Sequence, residues 1–317
     1  MQNNSSHLST SCTLSNAEFT QILVAYLFFF LFPFAFLFNT IAAWVSFHLP
    51  PSSTFIVYLK TLVGADLLMT LTIPPMAASM LPGAALEVRS FSCRYAGVIF
   101  FTSLYTSITL MGLISLDRFF KIVKPPGKGF GQNITTSIVM SALVWVALFG
   151  GLPNIILTNK TVPNSQIAGC MILKSPAGIK FHEKTTLFLN VFFWIVSVTI
   201  AVCYICIVNK VIISYRNSGS NNSQGKQKVK LRVFLVIIVF FVSFCPYHIV
   251  RIPYTFQQVS SSSTTCSQID VQIKLAKELT HWLSTTNICM DPLLYVFLCR
   301  EFKEQLMALM KKVNRWI

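Results

Sequence analysis

Apolar runs long enough to cross a bilayer recur along the whole chain, separated by short polar stretches. A hydrocarbon core ~30 Å thick takes about 20 apolar residues in a helix. The first run, Phe19 to Phe47, is uncharged, with Pro33 as a kink site and Asn39 as its one strongly polar interior residue. It is too long for a signal-peptide core of about 7–15 residues and lacks a basic start. The second, Thr54 to Met80, carries Asp66 deep inside, and Pro74-Pro75 are expected to break it near its far end. The third, Phe91 to Val123, has no charge between Tyr95 and Leu116 and closes on Asp117-Arg118-Phe119. The others run from Ile134 to Leu157 around Trp145, Lys184 to Tyr215, Val229 to Gln257 across Pro246, and Asp270 to Cys299. Arg300 to Arg315 is apolar at Phe302, Leu306, Met307, Leu309 and Met310 and basic elsewhere, the pattern of an amphipathic helix lying on an anionic membrane surface.

These runs predict an all-α membrane protein: a seven-transmembrane helix bundle with a short amphipathic eighth helix. Residues 1–18 form a polar tail, 19–299 the bundle, and 300–317 the surface helix and a short tail. The Ser/Asn/Gly-rich, basic stretch Asn217 to Lys230 reads as a mobile linker. Composition agrees, with 54% hydrophobic and 11% charged residues against roughly 25% charged in soluble chains.

A net charge of +15 would suggest nucleic acid for a soluble protein, but here it reflects loop asymmetry. Sixteen of the 25 Lys and Arg fall on the side of Arg118, the 217–232 segment and the C-terminal helix. That side is cytoplasmic by the positive-inside rule, so the N-terminus is outside and no nucleic-acid partner is expected. The sequons at Asn3, Asn4 and Asn159 then face outward, as glycosylation requires. Cys12, Cys93, Cys170 and Cys266 share the oxidising outer side, whereas Cys203, Cys206, Cys245, Cys289 and Cys299 are expected to be free. Four outer cysteines allow three pairings. The favoured one joins Cys93 to Cys170 and Cys12 to Cys266.

The outer half holds nine basic residues, Arg89, Arg94, Lys160, Lys174, Lys180, Lys184, Arg251, Lys274 and Lys277. Against five acids, Glu18, Glu87, Glu183, Asp270 and Glu278, that leaves it at +4. His248 and Arg251 lie i,i+3 on one face of the sixth run, and Lys274, Lys277 and His281 line one face of the seventh. Converging Arg and Lys at a bundle mouth suit a multiply charged anion, because charge-assisted bonds to phosphate are strong.

Seven spans, Leu62-Val63-Gly64-Ala65-Asp66, Asp117-Arg118-Phe119, Trp145, Phe244-Cys245-Pro246 and Asp291-Pro292-Leu293-Leu294-Tyr295 together resemble the rhodopsin-like G-protein-coupled receptors. Within them, Tyr58-Leu59-Lys60, Leu113-Ile114-Ser115-Leu116-Asp117-Arg118, Pro153-Asn154-Ile155-Ile156-Leu157-Thr158-Asn159, Pro246-Tyr247-His248 and Arg251-Ile252-Pro253-Tyr254-Thr255 resemble the purinergic nucleotide receptors, on the branch answering ADP or UDP-sugars. The resemblance implies a plasma-membrane receptor with no chemistry of its own, signalling through an inhibitory-type heterotrimeric G protein. It makes Arg251 and Lys277 phosphate contacts, with His248, Tyr105, His182, Lys174 and Tyr254 as further pocket residues. Phe101 stands where the ADP-receptor relatives place a base-stacking tyrosine, which keeps the ring and loses the hydroxyl. The resemblance also makes Asp117 the resting partner of Arg118, which on activation swings toward Tyr204 and Tyr295. Asp66, Asn39, Ser107, Asn287 and Asp291 resemble the family's sodium pocket, and two carboxylates plus neutral oxygens suit a hard cation. Two close carboxylates can instead share a proton.

The runner-up ligand is a lysophospholipid, which also presents phosphate to a basic mouth. An orphan receptor of the same family is the other alternative. An ion-coupled transporter using Asp66 and Asp291 is the distant one, but inverted repeats and matched broken helices are missing from the sequence. No HExxH, GxSxG or metal-ligand cluster points to an enzyme, and no cofactor beyond the sodium ion is implied.

Overall fold

A computed structural model describes residues 4–123, 133–148, 170–217, 223–260 and 268–313. Asn3, Asn159, Cys266 and the end of the fourth run lie outside the described residues, so the Cys12–Cys266 pairing does too. The side chains of Asn4 and Cys12 are likewise outside it.

With no water in the hydrocarbon region, each span must satisfy its own backbone, and a helix does so within one segment. The described residues are accordingly helical, without a strand. The helices are α1 (Asn4–His48), α2 (Thr54–Met80), α3 (Leu86–Phe91), α4 (Gly97–Val123), α5 (Ile134–Leu148), α6 (Pro176–Asn217), α7 (Ser223–Ser260), α8 (Gln268–Thr285), α9 (Asn287–Leu298) and α10 (Arg300–Val313). Five stretches are long and apolar enough to cross a membrane by length and composition: Phe19–His48, Thr54–Met80, Leu86–Val123, Pro176–Arg216 and Phe234–Val259. The fourth span is described only to Leu148, and the seventh is split between α8 and α9. Packing closes a ring: α1 on α2, α2 on α4, α4 on α6, α6 on α7, α7 on α8, with α8 and α9 back on α1. α5 lies against α2 and α4.

Several boundaries differ from the sequence expectation, each for a local reason. Pro74-Pro75 do not break α2, which continues to Met80. The Thr70 and Thr72 hydroxyls donate to the Asp66 and Met69 carbonyls just before them, and such side-chain bonds help a membrane helix tolerate proline. The polar tail before Phe19 continues α1 back to Asn4. α7 starts at Ser223, so most of the expected linker is helix; from Gln224 on, Gln and Lys are good helix formers. α6 starts at Pro176 rather than Lys184. Proline suits a first helical position, and the Ser175 hydroxyl caps the end by accepting from the Gly178 N–H at 3.1 Å.

The seventh span breaks at Thr286. The Ser284 and Thr285 hydroxyls both donate to the His281 carbonyl at 2.8 Å, and the Thr286 hydroxyl to Leu283 at 2.7 Å. Such local bonds compete with the helical ladder. Pro292 has no N–H for the Ile288 carbonyl four residues back. Asn39 from α1 donates to that carbonyl at 2.9 Å and so clamps the two helices.

The core falls into two clusters. One fills the outer and central bundle with Phe28, Phe100, Tyr105, Phe193, Phe240, Phe244 and Tyr247. The other seals the end that carries α10 and includes Phe302, whose ring lies 5.6 Å from that of Tyr295. Burying Phe302 while Met307 and Met310 stay exposed gives α10 the one-sided character expected of a surface helix.

Gly112 of α4 faces α6 so closely that a Cβ there would lie 3.0 Å from Val196 Cγ1. Gly112→Ala should lower the thermal stability of the detergent-solubilised chain by about 1–3 kcal/mol, the usual range for overpacking. Adding Val196→Ala should restore most of it in a double-mutant cycle. Independent, additive losses would show that the two helices do not meet there.

Candidate functional site

One end of the bundle gathers polar and aromatic side chains around one buried cation. Arg251 of α7 is 7% exposed and donates from Nη1 to the Tyr105 hydroxyl of α4 at 2.6 Å. That hydroxyl lies 3.1 Å from His248 Nε2, and His248 Nδ1 lies 2.8 Å from the Phe244 carbonyl. A carbonyl only accepts, so Nδ1 carries the proton there. In the neutral ring Nε2 then accepts from Tyr105, giving a directed chain from Arg251 through Tyr105 and His248 to Phe244. The His248 ring also stacks on Phe193 at 3.6 Å between centroids. Asn190 of α6 donates to the His248 carbonyl at 2.7 Å and accepts from the Trp194 indole at 3.0 Å.

Aromatic faces surround the guanidinium. Its Cζ lies 5.1 Å from the Phe101 centroid, 5.4 Å from Tyr247 and 5.7 Å from Tyr105, within cation–π range. Lys277 of α8 pairs with Glu278 at 2.9 Å and lies over the Tyr254 ring at 5.2 Å. Tyr254 accepts at its hydroxyl from Gln258 at 3.1 Å. His182 of α6 hydrogen-bonds Gln258 and feels the charges of Lys174, Arg251 and Lys277. Lys174 follows the short turn Cys170–Leu173, which a disulfide ties to Cys93 in the π turn Ser92–Ala96 before α4. Burial, and then the nearby Arg251 charge, push Lys174 down to about 8. The structure thus brings Arg251, Lys277, His248, Tyr105, Phe101, His182, Lys174 and Tyr254 to one mouth.

A second cluster occupies the middle of the bundle. Asp66 accepts from Ser107 at 3.1 Å and from the Tyr295 hydroxyl at 2.9 Å. Asn287 donates to Asp291 at 2.7 Å, and Asp291 is a close neighbour of Asp66. Asn39 Oδ1, Asn287 Oδ1 and Asp291 Oδ1 are buried without a hydrogen-bond partner. Two unpartnered amide oxygens together with two carboxylates are the kind of donor set a hard cation takes.

At the opposite end of the bundle the expected Asp117–Arg118 pair does not form. Asp117 accepts from Thr54 of α2 at 2.6 Å and from Lys121, one turn on, at 2.8 Å. Lys121 also donates to Thr54. Arg118 donates instead to the Leu298 carbonyl at 3.3 Å and stacks over Phe55 at 4.3 Å. Tyr204 lies near Arg118 and bonds Ser115, whereas Tyr295 is engaged by Asp66. Adjacent helical residues point about 100° apart, so a residue four along is better placed to reach Asp117 than its neighbour. That spacing could have identified Lys121 from the sequence, while Thr54 carries no such local signal. Asn190, polar inside an apolar run, had the signal of an intramembrane polar residue.

A helical bundle of this topology, with a basic aromatic cluster at one end and a charged rim at the other, has the architecture of a seven-helix membrane receptor. Residues 41–295 match the family described as the 7 transmembrane receptor (rhodopsin family), and the chain belongs to it. It is therefore a multi-pass membrane receptor and not an enzyme. It is 43% identical over 271 residues to purinoceptor 13 of Homo sapiens, covering 85% of this chain and 76% of that one. To purinoceptor 14 of Bos taurus it is 40% identical over 293 residues, covering 92% and 86%. To G-protein coupled receptor 87 of Mus musculus it is 38% identical over 296 residues, covering 93% and 81%.

Lys121 and Thr54 hold Asp117 away from Arg118, so Lys121→Met should let Asp117 turn to Arg118. Agonist-free signalling is expected to fall roughly twofold to fivefold, since a partly exposed ion pair is worth about 0.2–1 kcal/mol. Unchanged or raised basal signalling at equal surface expression would refute this role for Lys121.

Proposed function

We propose that this chain is a receptor for an extracellular nucleotide, ADP or a UDP-sugar, acting through an inhibitory-type heterotrimeric G protein. The carrying observation is Arg251. Its guanidinium is buried, and among the described residues no carboxylate pairs with it. A buried charge without a counter-ion is costly, and a ligand phosphate would supply the missing anion. Lys174 and His182 beside it, and Lys277 across the mouth, would take the remaining phosphate oxygens. Lys277 would do so while still held by Glu278. The two purinoceptors among the relatives support the nucleotide class.

In this reading the N-terminus faces outward at the plasma membrane, and α10 lies on the cytoplasmic leaflet. The Asp66 cluster would hold a sodium ion between Asp66 and Asp291, with Asn39, Ser107 and Asn287 supplying neutral oxygens. Such an ion would offset one of the two charges that a pair of ionised buried carboxylates carries. The protein's own part is to keep those oxygens convergent through the Ser107, Tyr295 and Asn287 bonds.

The test is inhibition of cyclic AMP in cells expressing the chain, challenged with ADP, UDP-glucose and lysophosphatidylserine side by side. A nucleotide response weakened at least tenfold by Arg251→Ala is expected, since a charge-assisted bond is worth about 1.5–3 kcal/mol. A response to the lipid alone, or a potency within about twofold in the variant, would overturn the reading. Lys174 adds a pH signature. It is charged below about 8 and neutral above, so affinity for an anionic agonist should fall as pH rises from 7 to 9. Lys174→Gln should flatten that slope while lowering affinity at pH 7, and an unaltered slope would remove Lys174 from the anion site.

A further inference from the structure

His281 of α8 is buried at 2% exposure, yet neither ring nitrogen has a hydrogen-bond partner. The hydroxyls of Ser284 and Thr285 bond its backbone carbonyl and leave the ring alone. Four aromatic rings from three other spans fix the imidazole. Phe28 of α1 meets it edge-on at 5.6 Å and Phe100 of α4 at 4.9 Å. Phe101 is near-parallel to it at 5.5 Å, and Tyr247 of α7 is tilted at 5.4 Å. A trapped water needs two to four polar partners, and these rings offer almost none beyond the imidazole itself. Among the described residues no protein group supplies the missing partner.

Two of those four walls, Phe101 and Tyr247, also border Arg251, at 5.1 and 5.4 Å from its Cζ. The imidazole and the lone guanidinium thus open onto the same pair of rings. An uncharged imidazole offers one donor and one acceptor, and aromatic walls suit a flat or CH-faced ring. We propose that His281 is a specificity-determining residue, hydrogen-bonding the uncharged ring of the ligand that lies beyond the phosphates held at Arg251. This assignment rests on the nucleotide reading above. The ring is a nucleobase or the sugar of a nucleotide-sugar, which share stackable faces and hydrogen-bonding edges.

Calorimetric binding to the purified full chain in lipid nanodiscs distinguishes these cases, with ADP, UDP, UDP-glucose and inorganic pyrophosphate as probes. His281→Leu should weaken the tightest ring-bearing ligand roughly tenfold, the size of one lost hydrogen bond, and leave pyrophosphate within twofold. His281→Gln keeps a donor and an acceptor and should recover most of that loss. Weakening of both ADP and UDP assigns the ring to the base; weakening of UDP-glucose with UDP unchanged assigns it to the sugar. Equal loss for pyrophosphate, no loss for any probe, or a Gln variant as weak as the Leu variant would each overturn the assignment. Arg251→Ala separates the two readings, since it should weaken every probe, pyrophosphate included. If it weakened none, or no probe bound the wild-type chain, the nucleotide reading itself would fall and the His281 assignment with it.

Discussion

Inside a bilayer a polar side chain cannot turn to water, so each one within the bundle must find its partner on its own helix, on another helix or on a ligand. This constraint organises the interior of the protein. Asn39 ties α1 to the carbonyl that Pro292 leaves free in α9, and the Trp282 indole ties α8 to the Leu27 carbonyl of α1. Asp66 gathers α2, α4 and α9 through Ser107 and Tyr295, and Thr54 joins α2 to α4 at Asp117. Asn190 joins α6 to α7 at His248, and Tyr105 joins α4 to α7 at two points. Apolar contacts between helices gain little over contacts with lipid tails, so these bonds fix which helix faces which.

The same constraint separates structural residues from functional ones. Asp117 is buried, but Thr54 and Lys121 satisfy both its oxygens. Arg251 and His281 are as deeply buried and remain incompletely partnered, Arg251 without a counter-charge and His281 without any bond to its ring. They share the Phe101 and Tyr247 walls at the outer end. Part of the bundle's unmet polar demand therefore gathers at these two rings, and the disulfide from Cys93 to Cys170 ties down the turn that leads into Lys174.

Much of the architecture was legible because membrane thickness imposes a length on every apolar run. The spans and the amphipathic α10 followed from hydropathy, and the Cys93–Cys170 bridge was the favoured pairing of outer cysteines. Helix ends were less legible. Proline reads as a breaker, yet α2 carries Pro74-Pro75, and Ser/Asn/Gly composition reads as linker, yet α7 begins at Ser223. The break at Thr286 had no glycine or proline to announce it, because it depends on the Ser284, Thr285 and Thr286 hydroxyls bonding carbonyls of their own helix. In the site, Arg251 and its neutral partner Tyr105 were both named from the sequence, whereas Lys121, Thr54 and Asn190 were not. Thr54 and Asn190 act across helices, and sequence spacing carries no information about which helix lies opposite.

The structure does not pair Asp117 with Arg118, for a reason that bears on how this end of the bundle is held. A neighbour in sequence is not a neighbour on a helix: Lys121 comes one turn later and reaches Asp117 without bending either side chain out of its row. Once Asp117 is engaged there and by Thr54, Arg118 is left to the Phe55 face and the Leu298 carbonyl at the end of α9. The guanidinium then couples α4 to the junction where α9 hands over to α10. Tyr295, further along α9 than the Ile288 carbonyl that Asn39 holds, is anchored to Asp66 in the bundle centre. Both contacts fall on α9, so the Asp66 cluster and the carbonyl that Arg118 grips are joined by one helix.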